Sequence, residues 1–318
     1  MSQDEAIGRF KAGDWVQVKT WEEIARTLDA NGTTDGLPFM PEMVEFCGGR
    51  YQVRRYAEQS CMEAPGGYYI TRTFNQKDLV LLDGLHCSGL NHDGCQRMCS
   101  LFWKSCWIRK CADVPVLNPG VRNKSIPVND ALKAKVSPTK YFCQGTQLFS
   151  ISHDHQPLDT ISQIKTDLRT RAVGFLSMIS LIVVPYFRKL RNKYWGRRRL
   201  RGTLTRTPVQ ELGLQPGDWV EVKSRQEIEA TLDKQGRNRG LVCDVELISN
   251  CGKQFKVLAR LDRMISEATG EMRTVTATVM LDGVPCPCSF AVGGCPRTDF
   301  SYFREIWLKK VDDSGSVV

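Results

Sequence analysis

Two stretches decide the fold, GDWVQVKTWEEIARTLDANGTTDGL at 13–37 and GDWVEVKSRQEIEATLDKQGRNRGL at 217–241, and they align without a gap. Further matched pairs follow in the same order: LLDGLHC (81–87) with MLDGVPC (280–286), and WIRK (107–110) with WLKK (307–310). Ordered identity over this length is typical of an internal duplication. The sequence therefore predicts two diverged copies of one unit, at 13–111 and 217–311.

Each copy opens with a strand pattern that leads into a short helix. Residues 15–18 alternate in polarity, and a capping box follows in both copies, Thr20 with Glu23 and Ser224 with Glu227. Strand-like runs separated by glycine-containing turns come next. The pattern predicts a mainly β, α+β fold: tandem SH3-like β-barrel repeats, each with a short inserted helix, joined by a helical basic connector.

Changes in composition along the chain predict where the segments begin and end. The residues after the first copy are rich in Pro, Asn and Val, and apolar residues recur at helical spacing from Leu158 onwards. The predicted organisation is a first repeat at 1–111, an irregular connector at 112–157, a helical apolar and basic segment at 158–206, and a second, diverged repeat at 207–318.

The net charge of +9 is concentrated in one segment, since eleven basic residues and no acidic ones lie between Asp167 and Glu211. An apolar stretch at 172–184 precedes most of them and is shorter than a spanning helix requires. We expect this segment to lie on an anionic membrane surface, with its arginines at the headgroups. The candidate membrane or anion-binding residues are Arg188, Lys189, Arg191, Lys193, Arg197, Arg198, Arg199 and Arg201.

Two alternative interpretations of the basic segment remain open. Aromatic residues interleave with the arginines of 186–206, a composition that also suits phosphate contacts and base stacking on nucleic acid. The apolar stretch would otherwise be a buried helix, and the basic run a solvated linker.

The first copy contains a candidate metal loop with the spacing Cys87-x4-His92-x2-Cys95-x3-Cys99. Three thiols and one imidazole within thirteen residues match the ligand set and the short steps of a tetrahedral structural zinc site. We expect one zinc ion per chain, with iron as an alternative. Cys61 and His86 are candidate extra ligands, and buried thiols without a metal are the competing interpretation.

The second copy has lost part of this ligand set. Val292 stands where the first copy has His92, and Asp299 stands where it has Cys99. A degenerate, weaker site would comprise Cys286, Cys288, Cys295 and Asp299. Any function that requires the metal is therefore expected in the N-terminal copy.

One further histidine pair, His153 and His155, lies outside both copies. An H-x-H pair on a strand or turn can ligate a metal, here together with Cys143 or Asp154. Two exposed loop histidines are the favoured interpretation.

Composition and motifs restrict the function classes. The N-terminal residues lack the apolar segment of a signal peptide, so we expect a cytoplasmic protein, with peripheral attachment to the inner face of the membrane. The sequence contains none of the phosphate-binding, nucleophile-elbow or H-E-x-x-H motifs of enzymes. We therefore expect a non-enzymatic, metal-stabilised binding or accessory protein. The alternatives are a metalloenzyme using the Cys/His cluster and a nucleic-acid-binding protein.

The duplicated unit, the LPFMPEM-x-x-FCG run at 37–48 and the Cys/His loop together resemble a family of uncharacterised bacterial proteins. The resemblance covers nearly the whole chain and implies a bacterial cytoplasmic setting. It also implies a supporting role in a biosynthetic or envelope system, because such proteins are encoded beside exopolysaccharide or natural-product genes. It implies no activity.

Overall fold

A computed structural model describes residues 9–65, 68–111, 132–170, 172, 200–243, 245–286, 296–297 and 299–312. The chain divides into two compact units, which are built from interleaved segments. The N-terminal unit comprises Met1–Val183, Ile265–Arg273 and Phe290–Thr298. The C-terminal unit comprises Val184–Met264, Thr274–Ser289 and Asp299–Val318.

The N-terminal unit is built on a curled, five-stranded antiparallel sheet that forms a half-barrel. The strands of this sheet are β1 (Trp15–Val18), β4 (Arg50–Tyr56), β7 (Leu79–His86), β8 (Ser100–Lys104) and β9 (Ile108–Lys110). Their order in the sheet is β8-β7-β4-β1-β9. Since β1 pairs with both β4 and β9, the start and the end of the copy meet in one sheet.

Shorter elements complete this unit. The strands are β2 (Thr33–Thr34), β3 (Leu37–Pro38), β5 (Gln59–Ala64), β6 (Tyr68–Phe74), β10 (Lys135–Ser137), β11 (Lys140–Tyr141) and β12 (Ser152–Asp154). The helices are α1 (Trp21–Ala25), α2 (Gln144–Gln147) and α3 (Pro157–Arg169), with 3-10 turns at Pro41–Phe46 and Ser105–Trp107. β12, β6 and β5 form a second sheet in that order.

Aromatic side chains fill the core of the N-terminal unit. Phe39 packs edge-on against Trp107, with ring centroids 5.2 Å apart, and against Trp103, at 6.2 Å. Leu148 and Ile151 are buried in the same core. The described residues of the predicted connector at 112–157 include the short elements β10, β11, α2 and β12, and Leu132 is buried in this core as well.

The C-terminal unit repeats the same sheet with the order β20-β19-β16-β13-β21. These strands are β13 (Trp219–Val222), β16 (Gln254–Arg260), β19 (Thr278–Pro285), β20 (Phe300–Arg304) and β21 (Leu308–Val311). The remaining elements of this unit are β14 (Arg237–Asn238), β15 (Leu241–Val242), helix α4 (Arg225–Glu229), and 3-10 turns at Val245–Asn250 and Glu305–Trp307. Two further strands, β17 (Arg263–Ile265) and β18 (Met272–Thr274), lie at the two ends of the segment Ile265–Arg273, which belongs to the N-terminal unit. Trp307 and Phe303 are buried in the core of the C-terminal unit.

The local predictions are confirmed where the repeat supplies them twice. Both capping boxes are present, at Thr20 with Glu23 and at Ser224 with Glu227. The mainly β architecture of two repeated half-barrel sheets is confirmed as well. None of the helices in the described part of the chain is long and apolar enough to cross a membrane.

Candidate metal centre

The predicted metal loop connects β7 to β8 in the N-terminal unit. The backbone N–H of Cys87 donates to the carbonyl of Cys99 at 2.9 Å, so the loop begins and ends at the same place. Within it, the N–H of His92 donates to the Gly89 carbonyl at 3.0 Å. A Cβ atom at Gly89 would lie 1.9 Å from the carbonyl oxygen of Cys95, so only glycine fits this turn.

A second segment, leading from β11 into α2, packs beside this loop. The Gln144 side-chain amide forms two hydrogen bonds with the backbone of Phe102, as a residue of a neighbouring strand would. Its Oε1 accepts from the Phe102 N–H at 2.9 Å, and its Nε2 donates to the Phe102 carbonyl at 2.8 Å. Nε2 also donates to the Pro38 carbonyl at 3.1 Å. These bonds fix the position of Cys143, the residue that precedes Gln144 and caps α2.

Together the loop and this segment line a cleft that is rich in sulfur. Its sulfur-bearing residues are Met40, Cys87, Cys95, Met98, Cys99 and Cys143. The four thiols are electrostatic neighbours, because the charges of Cys99 and Cys143 act on Cys87 and the charge of Cys95 acts on Cys143. The structure thus brings a fourth cysteine, Cys143, to three of the four predicted ligands.

Burial keeps two of these thiols, Cys87 and Cys143, in their neutral form. Desolvation raises the pKa of Cys87 far above its ordinary value, and the negative charge of Glu42 raises it further. Burial likewise raises the pKa of Cys143 to about 11. Near neutral pH both groups are therefore protonated, and a bound cation would have to displace their protons.

His92, the fourth predicted ligand, is buried and has both ring nitrogens engaged. Nδ1 lies 2.6 Å from Oε1 of Glu42, and Nε2 lies 3.1 Å from the carbonyl oxygen of Phe142. Since both neighbours are acceptors, we assign a proton to each nitrogen. Burial lowers the pKa of His92, but Glu42 and the Phe142 carbonyl outweigh it, and the pKa is raised. In this arrangement His92 has no lone pair to offer a metal.

Glu42, the carboxylate that holds His92, was not among the site residues predicted from the sequence. It lies in the 3-10 turn at Pro41–Phe46, and its Oε1 also accepts from the N–H of Asn91 at 2.9 Å. The second copy has Glu246 at the equivalent position, 204 residues along. A repeated acid inside an apolar run was the signal that could have drawn attention to it.

The opposite side of the cleft is charged. The buried Glu267 carboxylate lies 2.9 Å from Nη2 of Arg297 and 3.2 Å from Nη2 of Arg97. Burial by itself would raise the pKa of Glu267, but Arg297 and Arg97 hold it below its ordinary value. Glu63 contributes its N–H to the same carboxylate at 2.9 Å. This ion network closes the cleft with fixed charges of both signs, which no sequence motif indicated.

The two candidate extra ligands lie elsewhere in the N-terminal unit. Cys61 is disulfide-bonded, so its sulfur is not a free thiol in this structure. This differs from the expectation that the cysteines are metal ligands or free thiols. His86 ends β7, and its Nδ1 lies 3.0 Å from the carbonyl oxygen of Met98.

The degenerate second site falls partly outside the described residues. The N–H of Cys286 donates to the carbonyl of Asp299 at 2.6 Å, the counterpart of the bond between Cys87 and Cys99. Cys288 and Cys295 lie outside the described residues, so the proposed four-residue set stays a prediction.

The remaining candidates are placed as follows. His153 is half-exposed on β12, and its Nδ1 lies 2.9 Å from Oδ1 of Asn75. His155 is partly buried against Thr73. Of the basic candidates Arg201 is exposed, and the others, which lie outside the described residues, are Arg188, Lys189, Arg191, Lys193, Arg197, Arg198 and Arg199.

Among the described residues, no three His, Cys, Asp or Glu side chains are already arranged to hold a metal ion. The zinc prediction is therefore untested. No protein-family model, curated protein or solved structure matches the chain. The resemblance to a bacterial family accordingly stays a prediction, and any inference about function depends on the residues themselves.

Proposed function

We propose that the N-terminal unit is a non-enzymatic binding module stabilised by one zinc ion held by Cys87, Cys95, Cys99 and Cys143. The observation that carries the proposal is that four thiols from two separate segments line one cleft. Four thiolates are a ligand set that zinc takes in closed structural sites. In this set Cys143 takes the place predicted for His92, whose nitrogens are both engaged.

The role of the metal would be structural: it would cross-link two segments of the chain and would not take part in a reaction. Between β7 and β8 the loop contains no helix or strand, and Cys143 belongs to a second segment, next to Gln144, whose side chain bonds to Phe102. An ion bound by thiols from both segments would join them. Because Cys87 and Cys143 are neutral before binding, uptake of the ion should release protons and should strengthen with rising pH.

The accessory role is part of the same proposal. We propose that the two half-barrel sheets are SH3-like and that they present surfaces to a partner protein, in a biosynthetic or envelope system. The metal-bearing copy would be the specialised one and the C-terminal copy a scaffold.

The test is elemental analysis of the purified full-length protein, with matched cysteine variants. We expect about one zinc ion per chain in the wild type and loss of most of it in Cys143→Ser. Cys106→Ser is the control, because Cys106 is a free, half-buried cysteine outside the cleft lining. A wild-type protein without metal, or equal metal content in both variants, would refute the proposal, and an iron spectrum would favour the metalloenzyme.

A second candidate function, attachment to an anionic membrane surface, is favoured by the polarity of α3. The helix buries polar residues, among them Gln163 and Asp167, against the unit. Its outward face carries Leu158, 75% exposed, with Ile161 and Leu168 on the same side. A helix that exposes its apolar side and buries its polar side suits an interface with lipid.

The sequence after α3 supplies the matching charge, since eleven basic residues lie between Asp167 and Glu211. We expect full-length protein to float with phosphatidylglycerol vesicles and not with phosphatidylcholine vesicles. Leu158→Ser with Ile161→Ser should reduce the floating fraction. The control is Val136→Ser, an exposed apolar residue on β10. Equal flotation of all variants, or none at all, would exclude this role for α3.

A further inference from the structure

Both copies have a buried cation at the same position, but the charges around it differ. In the N-terminal unit Lys104 is buried at the end of β8, and its Nζ lies 2.6 Å from Oδ1 of Asp78 and 2.7 Å from Oδ2 of Asp35. Two carboxylates therefore surround one ammonium group. Such pairing is what a buried charge ordinarily requires.

The C-terminal unit has a cation at the equivalent position and lacks both carboxylates. Arg304 ends β20 as Lys104 ends β8, and it pairs with Thr278 as Lys104 pairs with Leu79. Arg239 replaces Asp35 at the same hairpin turn, with nearly the same left-handed backbone, φ 48° against 50°. Ala277 replaces Asp78.

The last equivalence is fixed by the backbone. The N–H of Glu305 donates to the carbonyl of Ala277 at 2.8 Å, and the N–H of Ser105 donates to that of Asp78 at 3.0 Å. The substitutions thus occur at matching points of the two units. They replace two negative groups by one positive and one neutral group.

Arg304 is held in place by neutral acceptors. Its guanidinium donates to the carbonyls of Asn238, Arg239 and Thr276 and to the hydroxyl of Thr278. These bonds use four of the five N–H donors of an arginine. Among the described residues, no carboxylate lies within ion-pair distance of Arg304 or Arg239.

The positive charge at this place is therefore not compensated by the described protein. Burial, and after it the neighbouring charge of Arg239, lower the pKa of Arg304 to about 10. An arginine guanidinium carries a positive charge in proteins, so the two like charges repel each other. An anion beside them would relieve that repulsion.

We propose that Arg239 and Arg304 form a binding site for a phosphate group in the C-terminal unit, where the N-terminal unit has the carboxylates of Asp35 and Asp78. Arg239, exposed on the turn, contacts the phosphate, because a guanidinium fork matches its oxygens. The buried guanidinium of Arg304 contributes a second positive charge to the site. A phosphate dianion carries in one ligand the two negative charges that the first copy supplies from two side chains.

The site is independent of the zinc proposal, because it lies in the other unit and uses none of the cleft residues. The probe is inorganic phosphate, titrated into full-length protein at constant ionic strength and followed by calorimetry. We expect saturable binding by the wild type that is weakened about tenfold or more in Arg239→Asp. That variant restores the acid of the first copy, so it should fold at least as stably as the wild type in phosphate-free buffer.

Lys253→Asp is the control, because it makes the same charge change at an exposed residue of this unit, just before β16 begins. It should bind phosphate as the wild type does. A titration with phosphatidic acid vesicles, compared with soluble phosphate, shows whether the phosphate is carried on a lipid or is free; either source supports the site. Absence of binding in the wild type, or equal binding by Arg239→Asp, would overturn the proposal.

Discussion

The indole Nε1 of Trp107 donates a hydrogen bond to the hydroxyl of Thr27 at 3.0 Å. Trp307 and Thr231 repeat this bond at 3.0 Å in the second copy. The tryptophan ends the 3-10 turn after the fourth sheet strand, and the threonine follows the capped helix. In each unit this side-chain bond ties the residues that follow the inserted helix to the sheet.

Removal of this hydrogen bond should lower the free energy of unfolding by different amounts in the two copies. Trp107 has a second acceptor, the hydroxyl of Thr34 at 3.2 Å, whereas the repeat has Asn238 at that position. Thr231→Val should therefore lower the free energy of unfolding by about 2 kcal/mol, since it leaves a buried indole N–H unsatisfied. Thr27→Val should cost about half as much. Urea denaturation of both variants checks the order, and an equal loss would contradict the role of Thr34.

The pairing of Lys104 predicts unequal costs for its two carboxylates. Asp78 is mostly shielded, with 20% of its side chain exposed, whereas Asp35 is 62% exposed. Asp78→Ala should lower the free energy of unfolding by about 3 kcal/mol, because a buried ammonium loses its better-shielded partner. Asp35→Ala should cost about 1 kcal/mol or less.

The matched control for this pair is Asp83→Ala, which removes an exposed carboxylate from β7. Chemical denaturation should find it close to wild type. If Asp35→Ala proved as costly as Asp78→Ala, the assumed difference in solvent screening would be wrong.

Gln144 should act as a positioning residue for the candidate metal centre. Its amide makes three hydrogen bonds to Phe102 and Pro38 in a buried environment. Gln144→Leu leaves backbone groups of Phe102 unsatisfied, and should lower the free energy of unfolding by about 2 kcal/mol. It should also weaken zinc retention in a chelator competition, since Cys143 is its neighbour. A change in stability with unchanged zinc affinity would show that Gln144 is only structural.

The capping box of Ser224 and Glu227 predicts a contribution to the free energy of unfolding that depends on pH. The pKa of Glu227 is lowered to about 2, first by the Ser224 hydroxyl, then by Lys309 and the Ser224 N–H. A folded-state pKa below the ordinary value of 4.5 stabilises the fold above pH 4.5, and this contribution is lost as the pH falls towards 2.

Glu227→Gln should accordingly be less stable than wild type near neutrality, and the difference should shrink as the pH falls through that window. Ser224→Ala should lower the free energy of unfolding by about 1 kcal/mol. Urea denaturation at several pH values measures both effects. A difference between Glu227→Gln and wild type that does not change with pH would assign the stabilisation to packing instead of charge.

Much of the fold could be predicted from the sequence because its signals are local and occur twice. The capping boxes need residues only three positions apart, and the strand alternation of 15–18 and 219–222 needs only neighbours. The sequence pattern does not predict the strand at Gln59–Ala64, because its buried Glu63 and Gln59 give it the composition of a polar segment.

The candidate metal centre could be predicted only in part. The spacing of Cys87, Cys95 and Cys99 within thirteen residues predicts that they share one loop. It could not show that Cys143 joins them, because that contact depends on Gln144 bonding to a strand 42 residues away.

By itself the sequence determined the duplication, the repeated half-barrel and the loop that collects three thiols. The tertiary structure decided which groups neighbour which: Glu42 with His92, and Arg239 with Arg304 where the first copy has acids around Lys104. Local patterns fix secondary structure because they act through adjacent residues. The pairing of buried charges depends on contacts between distant segments, and only the folded chain brings those segments together.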